Sequence, residues 1–506
     1  MRFLILFLSG ILTAMTLVIP EISLLAWISV VPFIYIVCKS KKSYLNGLVW
    51  SLGYYGVLYY WFIYLYPLEF TGLNDAQNIT VIIVAWVGMA GMQSVEHAFV
   101  PLIFKSVNKK LNYLTPFIFA SAWVILEWFQ TQFWTGVPWG RLAVSQYKML
   151  PMLQSASLLG SLFVSFLIIL VNGFFAMVLL KKDKSQIYAL SASVIFCANF
   201  IFGLVVLNLP SSNGTPVRVA LIQGNISSYD KWADDSLGYA MEKYVTLSEQ
   251  AYEEYRPSII LWPETVIPTV ILRSRYLKNI VKLAETTNAV IIAGTYYEDD
   301  DDNLYNSLIT FFPDGTVGTP YSKRHLVPFG EYLPMPEFFE TFIPALAGLN
   351  VFDEDIAHGT ETAVTDTLYG KIGYLICFDS IYETLTLDSV RDGAELMALS
   401  TNDSWYKDSA AVYQHNGHTA LRAVESGRYF IRAANTGISS IIDSNGRILS
   451  SLDPLVEGNV YGEVYFQNGR TLYSYVGNLI VYLSFGLIFL KTLANIFKRL
   501  YNRNSK

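Results

Sequence analysis

The chain has 506 residues, of which 53% are hydrophobic and only 15% charged, and its mean hydropathy is +0.37. A soluble domain carries about 25% charged residues, so this balance excludes a wholly water-soluble protein. A formal charge of -6 with no long basic stripe excludes a nucleic-acid partner.

Apolar runs near the length needed to cross a bilayer recur through the first 207 positions, at 3–20, 22–38, 46–66, 79–104, 112–130, 157–180 and 187–207. Another lies at 473–497, which makes about eight expected spans. Pro20-Glu21 lacks the small residues of a cleavage site, so the first run reads as a span and not a signal peptide. Alternate connections are basic: Lys39, Lys41 and Lys42; Lys105, Lys109 and Lys110; Lys181, Lys182 and Lys184; and the tail Lys498, Arg499, Arg503 and Lys506. The connection "PLEFTGLNDAQN" (67–78) has no basic residue. Positive charge stays inside, so both termini are expected in the cytoplasm and the polar segment 211–470 on the other side. The expected layout is a membrane bundle over 1–210, a polar domain over 211–470, and a final helix with its tail over 471–506.

The polar segment alternates strand and helix patterns. Strands are expected at 217–225, 258–265, 289–298, 306–317, 371–379, 395–403 and 430–443, with helices at 234–255, 273–287 and 408–427. Runs that are apolar on both faces predict layered sheets with helices outside. "PDGT" (313–316) marks a hairpin turn.

Three side chains stand at or just beyond strand ends: Glu264 after "IILWP", Lys323 in "YSKRHLVPFGEY", and Cys377 after "IGYLI". A carboxylate can deprotonate a thiol, and a cation can stabilise the oxyanion that forms when sulfur attacks a carbonyl. Taken singly, a cysteine is more often a small buried hydrophobe and a lone Glu or Lys a solvated surface group. Cys38 and Cys197 lie in apolar runs, so no disulfide framework is expected.

Together, "LWPET", "KRHLVPFGEY", "ICFDS" and "STNDSWY" resemble the nitrilase superfamily, whose triad is Glu-Lys-Cys. With the spans, "IQGNI" (222–226), "TGVPWGRLA" (135–143) and the stretch 414–443, nearly the whole chain is similar to the apolipoprotein N-acyltransferase family. The resemblance implies a periplasmic αββα sandwich on a bundle in the bacterial inner membrane. It implies Glu264 as general base, Lys323 as oxyanion-stabilising cation and Cys377 as acyl acceptor. Glu331 and Asp379 would support them, and Trp232 and Phe378 would meet substrate. On the residues alone, Glu127, a charge inside a span, is expected to pair with Arg141, either to shape the lipid entrance or as a purely structural interhelical pair. The family often has Tyr-Glu after the cysteine, where this chain has Phe378-Asp379.

The implied reaction moves an acyl chain from a phospholipid, through a thioester, to the N-terminal diacylglyceryl-cysteine of an apolipoprotein. No cofactor, metal or nucleic acid is implied, and the chain is expected to act as a monomer. His415 and His418 have helical i, i+3 spacing but no third ligand in view. "EDDDDN" (298–303) reads as a solvated loop. The apolar stretch 333–352 is expected to be a lid or membrane-dipping arm. Two other readings stay open on the residues: a membrane-anchored amidase that uses water as acceptor, and a transporter or scaffold with an inactive domain.

Overall fold

A computed structural model describes residues 1–68, 72–132, 136–209, 214–227, 236–333, 335–337, 341 and 356–504. The chain forms two compact units: Met1–Ile63 with Thr80–Leu209 and Thr471–Lys506, and Tyr64–Ile79 with Pro210–Arg470. The expected lid at 333–352 falls almost wholly outside the described residues.

The first unit is helical. Among the described residues five helical stretches are long and apolar enough to cross a membrane: Pro20–Lys39, Asp75–Val107, Ser161–Leu180, Lys182–Leu207 and Leu479–Asn502. Arg2–Val18 and Thr115–Phe129 are apolar but shorter, and Ser43–Leu58 makes a further helix. Ser161–Leu180 is largely buried among its neighbours, whereas Lys182–Leu207 exposes Ile187, Leu190, Val194 and Ile201. Small residues let the helices Arg2–Val18 and Ser43–Leu58 touch backbone to backbone. A Cβ on Gly10 would lie 2.1 Å from the Trp50 carbonyl oxygen, and one on Gly53 2.3 Å from that of Phe7. The helix Val31–Lys39 begins at a break, with Pro32 in its first turn. Asn172 repairs that break. Its Oδ1 accepts from the Val30 N–H at 2.9 Å and its Nδ2 donates to the Ala26 carbonyl at 2.9 Å.

The second unit holds thirteen strands among the described residues: β1 (Val217–Gln223), β2 (Ile259–Leu261), β3 (Ile267–Val270), β4 (Val290–Glu298), β5 (Leu304–Phe311), β6 (Tyr321–Ser322), β7 (Val364–Thr367), β8 (Gly370–Ile376), β9 (Leu396–Thr401), β10 (Tyr429–Ala434), β11 (Ser439–Ile442), β12 (Ile448–Leu452) and β13 (Gly458–Val464). One sheet runs β13-β1-β2-β4-β5-β6, with β3 also on β4; the other runs β12-β11-β10-β9-β8-β7. The central strands β1, β2 and β4 are parallel, as are β8, β9 and β10.

Side-chain alternation builds four layers. Val219, Leu221, Leu261 and Ile292 meet Ile372, Tyr374, Leu396 and Ile431 between the sheets. Ala220, Ile222, Ile260 and Ile291 point the other way, onto the helices Ser236–Tyr255 and Leu277–Thr287. The helices Glu383–Arg391 and Ala410–Ser426 cover the outer face of the second sheet. This is the expected helix–sheet–sheet–helix sandwich. The run at 430–443 is not one strand: a turn at 435–438 breaks it into β10 and β11, which pair antiparallel.

Gly294 of β4 passes directly under the end of β2. A Cβ there would lie 2.1 Å from the Pro263 carbonyl oxygen and 2.7 Å from Glu264 Cα. Backbone cannot rotate away as a side chain can. Gly294→Ala is therefore expected to cost about 1–3 kcal/mol, read as a lower thermal midpoint of the full chain in detergent.

Candidate active site

The candidate residues cluster at the carboxyl ends of the parallel strands, where open α/β sheets place ligands. Glu264 follows β2, Cys377 follows β8, and Asn402 and Asp403 follow β9. Lys323 follows β6, and Asn306 lies in β5. Two non-glycine residues here take left-handed backbone: Thr265 at φ 42° and Cys377 at φ 47°. Such conformations cost free energy and persist where the surroundings fix them. At Cys377 the turn ends β8 and starts the short 3-10 helix Cys377–Ile381.

Lys323 is the centre of the site and only 1% exposed. Its Nζ lies 2.9 Å from Glu264 Oε1, and 3.0 and 2.9 Å from the two oxygens of Glu331. Asn306 Nδ2 bridges the same carboxylates, donating to Glu264 Oε1 at 2.8 Å and Glu331 Oε1 at 3.0 Å. Glu264 Oε2 accepts from the Asn402 N–H at 2.8 Å, and Glu331 Oε2 from the Val327 N–H at 2.8 Å. Burial alone would lower the pKa of the Lys323 ammonium. The two carboxylates outweigh it and hold that pKa well above its ordinary value.

Cys377 is buried beside this group. Burial first, and then the Glu264 charge, push its thiol pKa up, while Lys323 pulls it down. The Glu264 charge thus disfavours the thiolate and Lys323 favours it. Asp379, two residues on, accepts three hydrogen bonds: Tyr321 Oη at 2.9 Å, the His325 N–H at 2.8 Å and the Ile376 N–H at 3.0 Å. Burial lifts its pKa to about 6, against Lys323 and these donors.

Behind the thiol lies a second buried cluster. His415 Nδ1 is 2.9 Å from Asp403 Oδ1, and Arg432 Nη2 is 2.6 Å from Asp403 Oδ2. Burial would raise the Asp403 pKa, but Arg432 and His415 hold it at about 2. Cys377 Sγ, an Asp403 oxygen and a His415 nitrogen lie within 4.8 Å of one another. These donor types suit a metal ion, yet the Arg432 guanidinium is already seated on Asp403 and the Lys323 ammonium acts on Cys377. Both charges oppose a dication.

Residues 218–472 match the family model for carbon-nitrogen hydrolases, and 9–174 that for the apolipoprotein N-acyltransferase N-terminal domain. An apolipoprotein N-acyltransferase of Geobacter metallireducens is 32% identical over 503 residues, covering 94% of this chain and 91% of the relative. The chain belongs to the apolipoprotein N-acyltransferase family. A relative of the same name from Gloeobacter violaceus is 29% identical, over 95% of this chain and 92% of its own. Among solved structures, a nitrilase-superfamily member from Saccharomyces cerevisiae is similar at TM-score 0.40 and 19% identity, over 53% of this chain and 95% of that one.

Glu264, Lys323, Glu331, Cys377 and Asp379 thus share one site. Phe378 is buried beside them and packs edge-on against Tyr382 at 5.6 Å between ring centres. Trp232 lies outside the described residues. Glu127 and Arg141 belong to the helical unit. Glu127 Oε1 accepts from Trp123 Nε1 at 2.9 Å and the Leu142 N–H at 3.0 Å, and Arg141 Nη1 donates to Ser161 Oγ at 2.8 Å. Both side chains are buried and tie down the short helices around 138–146. In "EDDDDN", Asp299 takes its hydrogen bonds from Asp301, Asn303 and Tyr305 within its own loop. Sequence reasoning missed Asn306, Asp403 and Arg432. It saw His415 only as half of a pair with His418, whereas its partners are Cys377 and Ser380 after β8, Asp403 after β9 and Arg432 in β10.

The charges around the thiol have opposite effects on two reactions. Removing Glu264 removes a group that raises the Cys377 pKa, so more thiolate forms at a given pH. Glu264→Gln is expected to speed iodoacetamide alkylation of Cys377 between pH 7 and 9. In the same variant, any reaction that needs a general base falls by about 10²–10⁴-fold. Alkylation rates followed by intact mass against pH measure the first effect.

Proposed function

We propose that the chain N-acylates apolipoproteins through a thioester on Cys377, with a phospholipid as acyl donor. Cys377 Sγ attacks the sn-1 ester carbonyl while Glu264 takes the thiol proton. The oxyanion forms beside the Lys323 ammonium, which Glu331 and Asn306 hold in place. Collapse breaks the ester C–O bond, and Glu264 returns its proton to the departing lysophospholipid. The α-amino group of a diacylglyceryl-cysteine then attacks the thioester. Glu264 takes the amine's proton and hands it to the leaving sulfur, which regenerates the thiol.

The observation that carries this reading is the buried ammonium set between two carboxylates beside a strained cysteine, in a chain of this family. A thioester suits the task because amines attack it readily. An acyl chain loses about 0.8 kcal/mol per methylene on moving into water, so both substrates stay lipid-bound and the enzyme works at the bilayer. The alternation of basic loops supports eight spans, cytoplasmic termini and a catalytic domain on the periplasmic side of the inner membrane.

Incubation with phospholipid labelled in its sn-1 chain is expected to leave hydroxylamine-labile label on the protein. Cys377→Ala is expected to carry none, and Lys323→Ala to lose acylation by about 10²–10³-fold, as when an oxyanion donor is removed. Addition of a diacylated lipopeptide should discharge the label as an N-acyl product. Label on Cys377→Ala, or discharge to water at the same rate with and without lipopeptide, would count against the reading.

A further inference from the structure

We infer that His415 is a positioning residue, which sets the Cys377 turn against the base through Asp403. The inference rests on the reading of Cys377 as nucleophile. Cys377 sits at φ 47°, and something must hold that strained backbone. His415 Nε2 lies 3.1 Å from the Cys377 carbonyl oxygen and 2.9 Å from Ser380 Oγ. Ser380 Oγ donates to the same Cys377 carbonyl at 2.8 Å. The imidazole is therefore tied to the first turn after the nucleophile through Ser380.

The other ring nitrogen faces Asp403 Oδ1, which as a carboxylate only accepts, so Nδ1 carries the proton of that bond. Asp403 is fixed in turn by Arg432 on Oδ2 and by Thr401 Oγ1, 3.0 Å from Oδ1. A Cβ on Gly437 would lie 2.2 Å from Asp403 Oδ2, so the backbone also closes over this carboxylate. With its proton on Nδ1, the ring turns Nε2 as an acceptor toward the Ser380 hydroxyl, whose one hydrogen lies between Nε2 and the Cys377 carbonyl.

Asp403 has a neighbour that gives the arrangement its meaning. The N–H of Asn402 is the donor on Glu264 Oε2. One dipeptide at the end of β9 thus holds the base through its backbone and the nucleophile's turn through Asp403 and His415. The separation of Glu264 and Cys377 is set by this link, and a shift of about 1 Å in such a geometry costs about 10²-fold in rate.

The test compares two amides in place of the imidazole. His415→Asn puts an N–H where Nδ1 stands and loses the tie to the Cys377 turn. His415→Gln reaches the position of Nε2 and keeps that tie. In single-turnover acylation of the full chain in detergent, with phosphatidylethanolamine labelled in its sn-1 chain, His415→Asn is expected to be slowed about 10²-fold. Its KM for the phospholipid should stay unchanged, and His415→Gln, which keeps the hold on the turn but not the bond to Asp403, should recover part of the rate. Equal rates for the two variants, fast or slow, overturn the proposal. Should His415→Asn fail to fold, the isosteric Asp403→Asn is the second variant. About tenfold slower acylation at unchanged KM supports the proposal, and a wild-type rate overturns it. Label on Cys377→Ala would instead refute the nucleophile reading on which the proposal rests.

Discussion

The site depends on one buried ion cluster, the Lys323 ammonium between Glu264 and Glu331. Taking charges out of water costs several kcal/mol per ion, and only near-complete hydrogen bonding offsets it. That condition is met closely here. Asn306 bridges both carboxylates, Asn402 and Val327 donate backbone N–H groups to their outer oxygens, and the ammonium touches both acids. The cluster as a whole carries one negative charge more than positive. Burial first, and then the Glu264 charge, push the Cys377 thiol pKa up, and Lys323 opposes them.

The same cluster explains why charge can move without being exposed. In the proposed reaction Glu264 becomes neutral as it takes the thiol proton, and Lys323 loses one partner. At that moment an oxyanion forms within reach of the ammonium and replaces it. The net charge of the pocket does not change; it moves from one side of Lys323 to the other. Glu331, which takes no proton in this scheme, keeps the ammonium paired throughout. The donors are in place before the reaction, so little reorganisation is needed.

The two sheets share the construction of the site. The first brings Glu264, Asn306 and Lys323; the second brings Cys377, Asn402 and Asp403. Their registration is held by the core between them, in which Cys377 itself lies, and by Ser400 Oγ donating to the Trp262 carbonyl at 2.8 Å beside the strand ends. This accounts for what could be read from the chain. Strands buried on both faces, such as "SIILW" and "IGYLI", announce themselves by apolar runs that end in the reacting residues. Strands β3, β6 and β7 are short or half-exposed and carry little pattern, and β13 pairs with β1 from the far end of the domain. Asn306 looks like any polar residue near the start of a strand. The partners of His415 lie 12 to 38 residues away and meet only after folding.

Phe378-Asp379, where the family resemblance leads one to expect Tyr-Glu, shows how a departure can be absorbed. The carboxylate of Asp379 receives Tyr321 and His325, the residues two before and two after Lys323. It also receives the N–H of Ile376, which precedes the nucleophile. One acid thus ties the loop that carries the ammonium to the turn that carries the sulfur. Asp379 reaches back to the backbone N–H three residues earlier, the bond that the third-position acid of a capping box makes at a helix start. Asp379 therefore fixes where Lys323 and Cys377 meet, which leaves Glu264 as the carboxylate proposed to carry protons.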